Sequence, residues 1–161
     1  MLIRNILEES VRKFDEVKAV KWLKKKEIME RSYGELMENV VSTRKGLLAE
    51  GFEGKHIALI GTSSVEWMES YLGIITGCTT AVPLDAALPC EDLIDLLNRS
   101  DSVALFLSPK LKPYLDAFLE NCPKLQKVWM LQEEVEDAPA KVYGIGELRN
   151  AGKSASADSV C

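Results

Sequence analysis

The sequence predicts an α/β fold, a parallel sheet of βαβ units with helices on both faces and a small N-terminal hairpin. Short apolar runs recur roughly every 24 residues from residue 56 onward. Segments with apolar residues at helical spacing separate these runs, as in right-handed βαβ units. The runs lack polar alternation, which indicates strands buried on both faces and therefore a sheet covered on both sides.

Four strands follow from the apolar runs. They are predicted at 56–61, 80–84, 103–107 and 128–131. Pro83 has no N–H to give to a neighbouring strand, so the end of the second strand belongs at a sheet edge or in a loop.

Capping signals locate the helices that precede and separate these strands. Ser32 with Glu35, and Ser63 with Glu66, have the S-x-x-E spacing of a capping box, in which the serine hydroxyl accepts a bond from a first-turn N–H. The first of these helices ends at Gly51. Two further helices are predicted, one from about Pro89 and one after Pro109.

Segments outside the βαβ pattern complete the prediction. The N-terminal part contains an amphipathic helix at 3–14 and a hairpin with strands at 19–23 and 27–32. The C-terminal part contains an acidic loop at 132–140 and a single helical turn at 147–150. We expect one domain over 1–151 and a mobile tail over 152–161.

Composition narrows the possible partners and compartment. The 161 residues carry a net charge of -5, which argues against nucleic-acid binding. No stretch approaches the roughly 18 apolar residues of a membrane span. Charges interrupt the opening segment 1–14, so it cannot form the apolar core of a secretory signal. These features predict a cytoplasmic protein.

The few histidine and cysteine residues exclude several kinds of site. His56 is the only histidine, so neither a His-based zinc cluster nor a His-dependent triad can form within this sequence. Cys78, Cys90, Cys122 and Cys161 show no C-x-x-C spacing, and we expect reduced thiols. We therefore expect no metal site.

Any ligand of such a sheet is expected at the carboxyl ends of the strands. Ser63 and Ser64 lie there, between a buried strand and a helix N-terminus, where free N–H groups favour an anion. They are candidate cofactor-binding residues, although capping explains them more simply. Asp85, after the next strand, is the third candidate. It can hold a substrate amine or an arginine, but a turn amide is the commonest partner of such an Asp.

One further segment has the letters of a phosphate loop. Gly152-Lys153-Ser154 matches the end of that motif, but Glu147 occupies the position of its first glycine and no buried strand leads into it. We assign it no nucleotide role. No residue of the sequence is a catalytic candidate.

Four motifs stand in a fixed order along the chain. They are Ser32-Tyr33-Gly34-Glu35-Leu36, then 51–58 (GFEGKHIA), then Ser63-Ser64-Val65-Glu66-Trp67, and finally 77–85 (GCTTAVPLD). Together they resemble the N-terminal part of the adenylate-forming enzymes: acyl-CoA synthetases, luciferases and peptide-synthetase adenylation domains. Lys55 stands where the family usually has Asp, and the third motif lacks the common proline before Glu66. The resemblance covers the chain from about Asn5 to its end.

The resemblance implies a parent enzyme that condenses a carboxylic acid with ATP, using Mg²⁺, and passes the acyl group from acyl-AMP to coenzyme A. The family's phosphate loop, ribose-binding Asp and C-terminal Lys are not found in this sequence. Residues 158–161 resemble the start of the strand that leads to the phosphate loop. We therefore expect an inactive N-terminal piece of an acyl-CoA synthetase, of the type that acts on long-chain fatty acids, with no cofactor of its own.

Two alternatives stay open. In the first alternative, the chain is part of an adenylation domain that loads a carrier protein. In the second, it is a free-standing α/β interaction module without activity. For a piece of an enzyme, the partner is the remainder of that enzyme. The missing strands would leave an open sheet edge or an apolar face, and we expect self-association to cover it.

Overall fold

The structure is a computed structural model that describes residues 2–132 and 134–156. These residues form a five-stranded parallel sheet and a separate two-stranded antiparallel hairpin. The hairpin consists of β1 (Lys18–Lys24) and β2 (Glu27–Ser32). The sheet strands are β3 (His56–Ile60), β4 (Thr80–Leu84), β5 (Ser102–Leu107), β6 (Lys127–Met130) and β7 (Val142–Gly144).

Six α-helices and one 3₁₀ helix occur in the described residues. The α-helices are α1 (Ile3–Phe14), α2 (Tyr33–Ala49), α3 (Val65–Ile75), α4 (Cys90–Arg99), α5 (Leu115–Asn121) and α6 (Ile145–Ser154). The 3₁₀ helix is Pro109–Tyr114. The α/β prediction is therefore confirmed, including the hairpin.

The sheet has the strand order β4-β3-β5-β6-β7, with every neighbouring pair parallel. Its two faces carry different apolar clusters. On one face, Ala58, Leu105 and Val128 pack with residues of α4 and α5. On the other, Ile57, Phe106 and Trp129 pack with residues of α2, α3 and α6. Neighbouring strand residues point to opposite faces, so the continuous apolar runs are explained by burial on both sides.

The first capping box is confirmed. The Ser32 hydroxyl accepts from the Glu35 N–H at 3.2 Å, and the Ser32 N–H donates to the Glu35 carboxylate at 2.7 Å. The second is wrong by one residue, because the N-cap of α3 is Ser64. Its hydroxyl accepts from the Trp67 N–H at 3.1 Å.

The C-terminal region is more regular than the sequence predicts. The short strand β7 was not predicted, and α6 extends to Ser154 instead of forming a single turn over 147–150. The helix therefore crosses the expected domain boundary between 151 and 152. It lies along α2 in very close contact: a Cβ added to Gly152 would be 1.9 Å from the Ser42 carbonyl oxygen. The segment 157–161, which includes the expected strand start, lies outside the described residues.

The cysteines differ from one another in their bonding. Cys90 and Cys122 are free thiols, but Cys78 is disulfide-bonded, so the expectation of reduced cysteines is wrong for Cys78.

Among the described residues, no helix combines the length and apolar character that crossing a membrane would require.

Candidate functional site

The carboxyl ends of β3 and β5 are joined tightly at the rim of the sheet. The Ser108 N–H donates to the Ile60 carbonyl at 2.9 Å, and the Thr62 N–H donates to the Ser108 hydroxyl at 3.2 Å. A Cβ on Gly61 would lie 2.3 Å from that hydroxyl, so the glycine permits this approach. Ser108 was not among the predicted site residues, although a polar residue at the end of a buried apolar strand was the available signal.

Ser63 and Ser64 follow β3 at this rim, as predicted, but they have different roles. Ser64 is the α3 N-cap, so its hydroxyl is already engaged by the helix backbone. Ser63 is exposed, and no hydrogen bond of its hydroxyl is found within the described part of the chain. Ser63 is therefore the candidate whose side chain can still reach a ligand.

Asp85 follows β4, the strand next to β3, and so lies at the same rim. Its carboxylate accepts from the Ala87 N–H at 2.9 Å, which forms a local turn. This geometry supports the turn interpretation that the sequence favoured. The carboxylate is exposed and makes no contact with Ser63 or Ser64 among the hydrogen bonds of the described residues.

A groove of about 420 Å³ runs between β1 and the start of α3. The indoles of Trp22 and Trp67 line it, and Ser63 lies on its border. Trp67 stacks on Tyr71 with ring centroids 5.4 Å apart, and its Nε1 is buried without a hydrogen-bond partner in the described structure. Lys21 also lines the groove, and its ammonium pairs with the Glu30 carboxylate at 3.4 Å. The groove opens beside the rim at Ser63, and its aromatic walls suit an apolar ligand.

The segment Gly152-Lys153-Ser154 forms the last turn of α6. Lys153 pairs with Glu38 at 2.9 Å, and Gly152 packs against the backbone of α2. A phosphate loop requires backbone amides that converge after a strand, and this segment is helical instead. The segment thus lacks the backbone arrangement of that loop.

The perturbed carboxylates lie away from the rim. The Ser32 backbone N–H holds the pKa of Glu35 below its usual value at the start of α2. A hydrogen bond from Lys124 lowers the pKa of Asp101, which precedes β5 at the opposite end of the sheet. In residues 2–132 and 134–156, no group of three or more His, Cys, Asp or Glu side chains could hold a metal ion. Both carboxylates with a lowered pKa are thus held by structural hydrogen-bond partners.

A buried carboxylate on α3 has the densest set of partners in this region. Glu69 is fully buried and accepts from Arg149 of α6 at 2.9 Å, from Asn39 of α2 at 3.1 Å, and from Arg31 of β2. Arg149 also donates to Thr43 at 3.3 Å. This cluster was not predicted from the sequence, because a Glu within an apolar helix pattern does not reveal which cations contact it.

Comparison with known proteins identifies the family of this chain. The family model described as AMP-binding enzyme matches residues 7–159. The chain therefore belongs to the AMP-binding enzyme family, the adenylate-forming class expected from the motifs. No curated protein is similar enough to count as a match.

Solved structures of that class share the fold. A coronafacic acid ligase from Pectobacterium brasiliense superposes with a TM-score of 0.86 at 20% identity, over 100% of this chain and 32% of its own. An anthranilate CoA ligase in complex with anthranoyl-AMP gives 0.75 at 16% identity, over 91% of this chain and 26% of its own. A protein described as a long-chain-fatty-acid CoA ligase from Rhodopseudomonas palustris gives a TM-score of 0.77 at 11% identity, over 92% of this chain and 36% of its own. The chain thus spans about a quarter to a third of these proteins.

Proposed function

We propose that this chain is the N-terminal part of an ATP-dependent acyl-CoA synthetase. Such an enzyme converts a carboxylic acid and ATP to acyl-AMP, and transfers the acyl group to the thiol of coenzyme A. The observation that carries the proposal is the family match over 7–159, which extends across every strand of the sheet. The ligases that share the fold add support for a CoA acceptor.

The described rim residues do not fit a complete ATP site. Ser64 and Asp85 are engaged by their own loop backbones, which leaves the Ser63 hydroxyl as a weak candidate contact. In-line attack on a phosphate requires several charges or amides that converge on it, and the described residues supply no such set. ATP, Mg²⁺ and coenzyme A are therefore assigned to the longer enzyme, and the 161-residue chain is predicted to be inactive.

A thermal-shift measurement tests the predicted lack of nucleotide binding. The isolated chain is heated with and without millimolar ATP-Mg²⁺, and we expect the same melting temperature. A ligand present at 100 times its Kd would stabilise the fold by about 2.7 kcal/mol, which a melting curve readily detects. A clear upward shift would contradict the assignment.

The longer protein tests the reaction itself. We propose extending the reading frame at the source locus and measuring pyrophosphate release with fatty acids of different lengths, with coenzyme A or a carrier protein as acceptor. Activity with long-chain acids and coenzyme A is expected. Transfer only to a carrier protein would favour the adenylation-domain alternative, and a stop codon after Cys161 would favour the interaction module.

The cellular location and the assembly of the chain are the last part of the proposal. We propose a cytoplasmic protein that contacts the remainder of its enzyme and self-associates when that remainder is absent. Large apolar side chains are exposed on the hairpin, Leu23 at 71% and Ile28 at 73%, and such surface favours association. A strictly monomeric mass by light scattering at high concentration would contradict self-association.

A further inference from the structure

Both outer strands of the sheet are open in the described structure. β4 pairs only with β3, and β7 pairs only with β6. Open strands commonly present unpaired N–H and C=O groups that recruit a strand from another molecule. Which groups face outward is decided by the register of each strand with its inner neighbour.

The outer side of β4 has few backbone N–H donors. The Thr80 N–H donates to the Lys55 carbonyl at 2.9 Å, so the Thr80 backbone faces β3. Alternate residues of a strand present their backbone groups to opposite sides, so Ala81 and Pro83 face outward. Pro83 has no N–H. Within the described β4, only Ala81 can therefore offer a donor to an added strand.

The outer side of β7 is blocked in a different way. The Val128 N–H donates to the Lys141 carbonyl at 2.8 Å, so the Lys141 carbonyl faces β6. By the same alternation, the backbone groups of Val142 and Gly144 face outward.

Both outward donors of β7 are already bonded within the chain. The Val142 N–H donates to the Pro139 carbonyl at 3.2 Å. The Gly144 N–H donates to the Glu147 carboxylate at 3.3 Å, as part of the capping arrangement of α6. An added strand would have to break these bonds before it could pair.

We propose that both open edges are closed to strand addition by a second copy of this chain. Pro83 closes one edge, and the internal bonds of Val142 and Gly144 close the other. A β-ladder requires repeated donors and acceptors at alternate residues, and one Ala81 N–H cannot sustain it. Any association of the chain then involves side-chain surfaces and not extension of the sheet. The inference is independent of the proposed enzyme.

Replacement of Pro83 tests the first edge. Pro83→Val returns an outward N–H with a residue that favours strands. Thr80→Val is the matched control, because it adds an exposed apolar β-branched residue on the same strand while its N–H still faces β3. We expect sedimentation velocity to give at least a twofold rise in weight-average mass for Pro83→Val, at concentrations where the unaltered chain and Thr80→Val do not change. A rise no larger than that of the control overturns the proposal.

Two further measurements keep the test independent of one variant. Glu147→Ala frees the Gly144 N–H, and we expect a smaller rise in mass than for Pro83→Val. Hydrogen exchange should show that the Ala81 amide becomes more protected with concentration in Pro83→Val only. If the unaltered chain already shows concentration-dependent protection at Ala81, its edge recruits strands and the proposal is wrong. Circular dichroism confirms that each variant is folded.

Discussion

Arg149 near the C-terminus donates to Glu69 at 2.9 Å, and their side chains are only 4% and 0% exposed. The pair connects α6 to α3, and Glu69 also accepts from Arg31 of the hairpin. With Asn39 of α2 as a further donor, four elements of the chain meet at one carboxylate. Removing one member of a buried ion pair leaves the other charge desolvated without its partner, which is more costly than the pair itself is stabilising.

The first prediction concerns this pair. Arg149→Met should lower the free energy of unfolding by about 3–5 kcal/mol, because the Glu69 carboxylate loses a buried partner. Urea denaturation followed by circular dichroism measures the change. Arg99→Met is the control: Arg99 and Asp95 form an exposed pair, whose loss should cost less than about 1 kcal/mol. Equal effects of the two substitutions would show that the buried pair has no special role.

The second prediction concerns the contact between α2 and α6. Alanine usually stabilises a helix by about 1 kcal/mol relative to glycine. At position 152, however, the new Cβ would lie 1.9 Å from the Ser42 carbonyl oxygen and 2.7 Å from the Gly46 nitrogen.

We therefore expect Gly152→Ala to destabilise the fold by about 1–3 kcal/mol, because these backbone atoms cannot move aside without displacing the helix. Thermal and urea unfolding report the loss. Asn150→Ala, at an exposed position of the same helix, should leave stability nearly unchanged. A Gly152→Ala chain as stable as the unaltered one would mean that α6 packs less closely than described.

The third prediction concerns pH. The Ser32 N–H holds the pKa of Glu35 below its usual value, so the ionised carboxylate stabilises the fold above that usual value. This contribution is lost as the pH falls through the lowered pKa. Glu35→Gln should therefore be less stable than the unaltered chain at neutral pH, and this difference in stability should shrink as the pH falls below the usual glutamate pKa.

Urea midpoints at several pH values measure this difference. Glu53→Gln, at an exposed glutamate, is the control and should leave the urea midpoint nearly unchanged. A Glu35→Gln difference that stays constant with pH would contradict the role of the charged carboxylate.

The fourth prediction concerns the free thiols. Burial raises the pKa of Cys90, and the charge of Glu91 raises it further. Burial also raises the pKa of Cys122. Because the thiolate is the reactive form, Cys90 should react with iodoacetamide more slowly than a free cysteine at neutral pH and faster as the pH rises.

Cys122 is buried and should react only when the chain unfolds. Peptide mass mapping at several pH values, with and without urea, separates the two sites. Rapid alkylation of Cys90 at neutral pH would show that its thiol is more accessible than the structure describes.

The rim shows where sequence reasoning was sufficient. Asp85 before a loop was expected to bond a turn amide, and it accepts from Ala87. Such contacts span few residues, so local spacing predicts them well. The error at the start of α3, where Ser64 and not Ser63 is the cap, reflects the limit of that reasoning: adjacent serines offer the same hydroxyl, and the backbone direction after β3 selects between them.

Periodicity and short spacing were sufficient to predict the α/β class, the strand rhythm, the first capping box and the family. Tertiary structure decided the rest. The length of α6 depends on close packing of Gly152 against α2, and the burial of Glu69 depends on Arg31 and Arg149, 38 and 80 residues away along the chain. A local pattern cannot specify a contact between distant segments, since the energy of that contact exists only once the segments have come together.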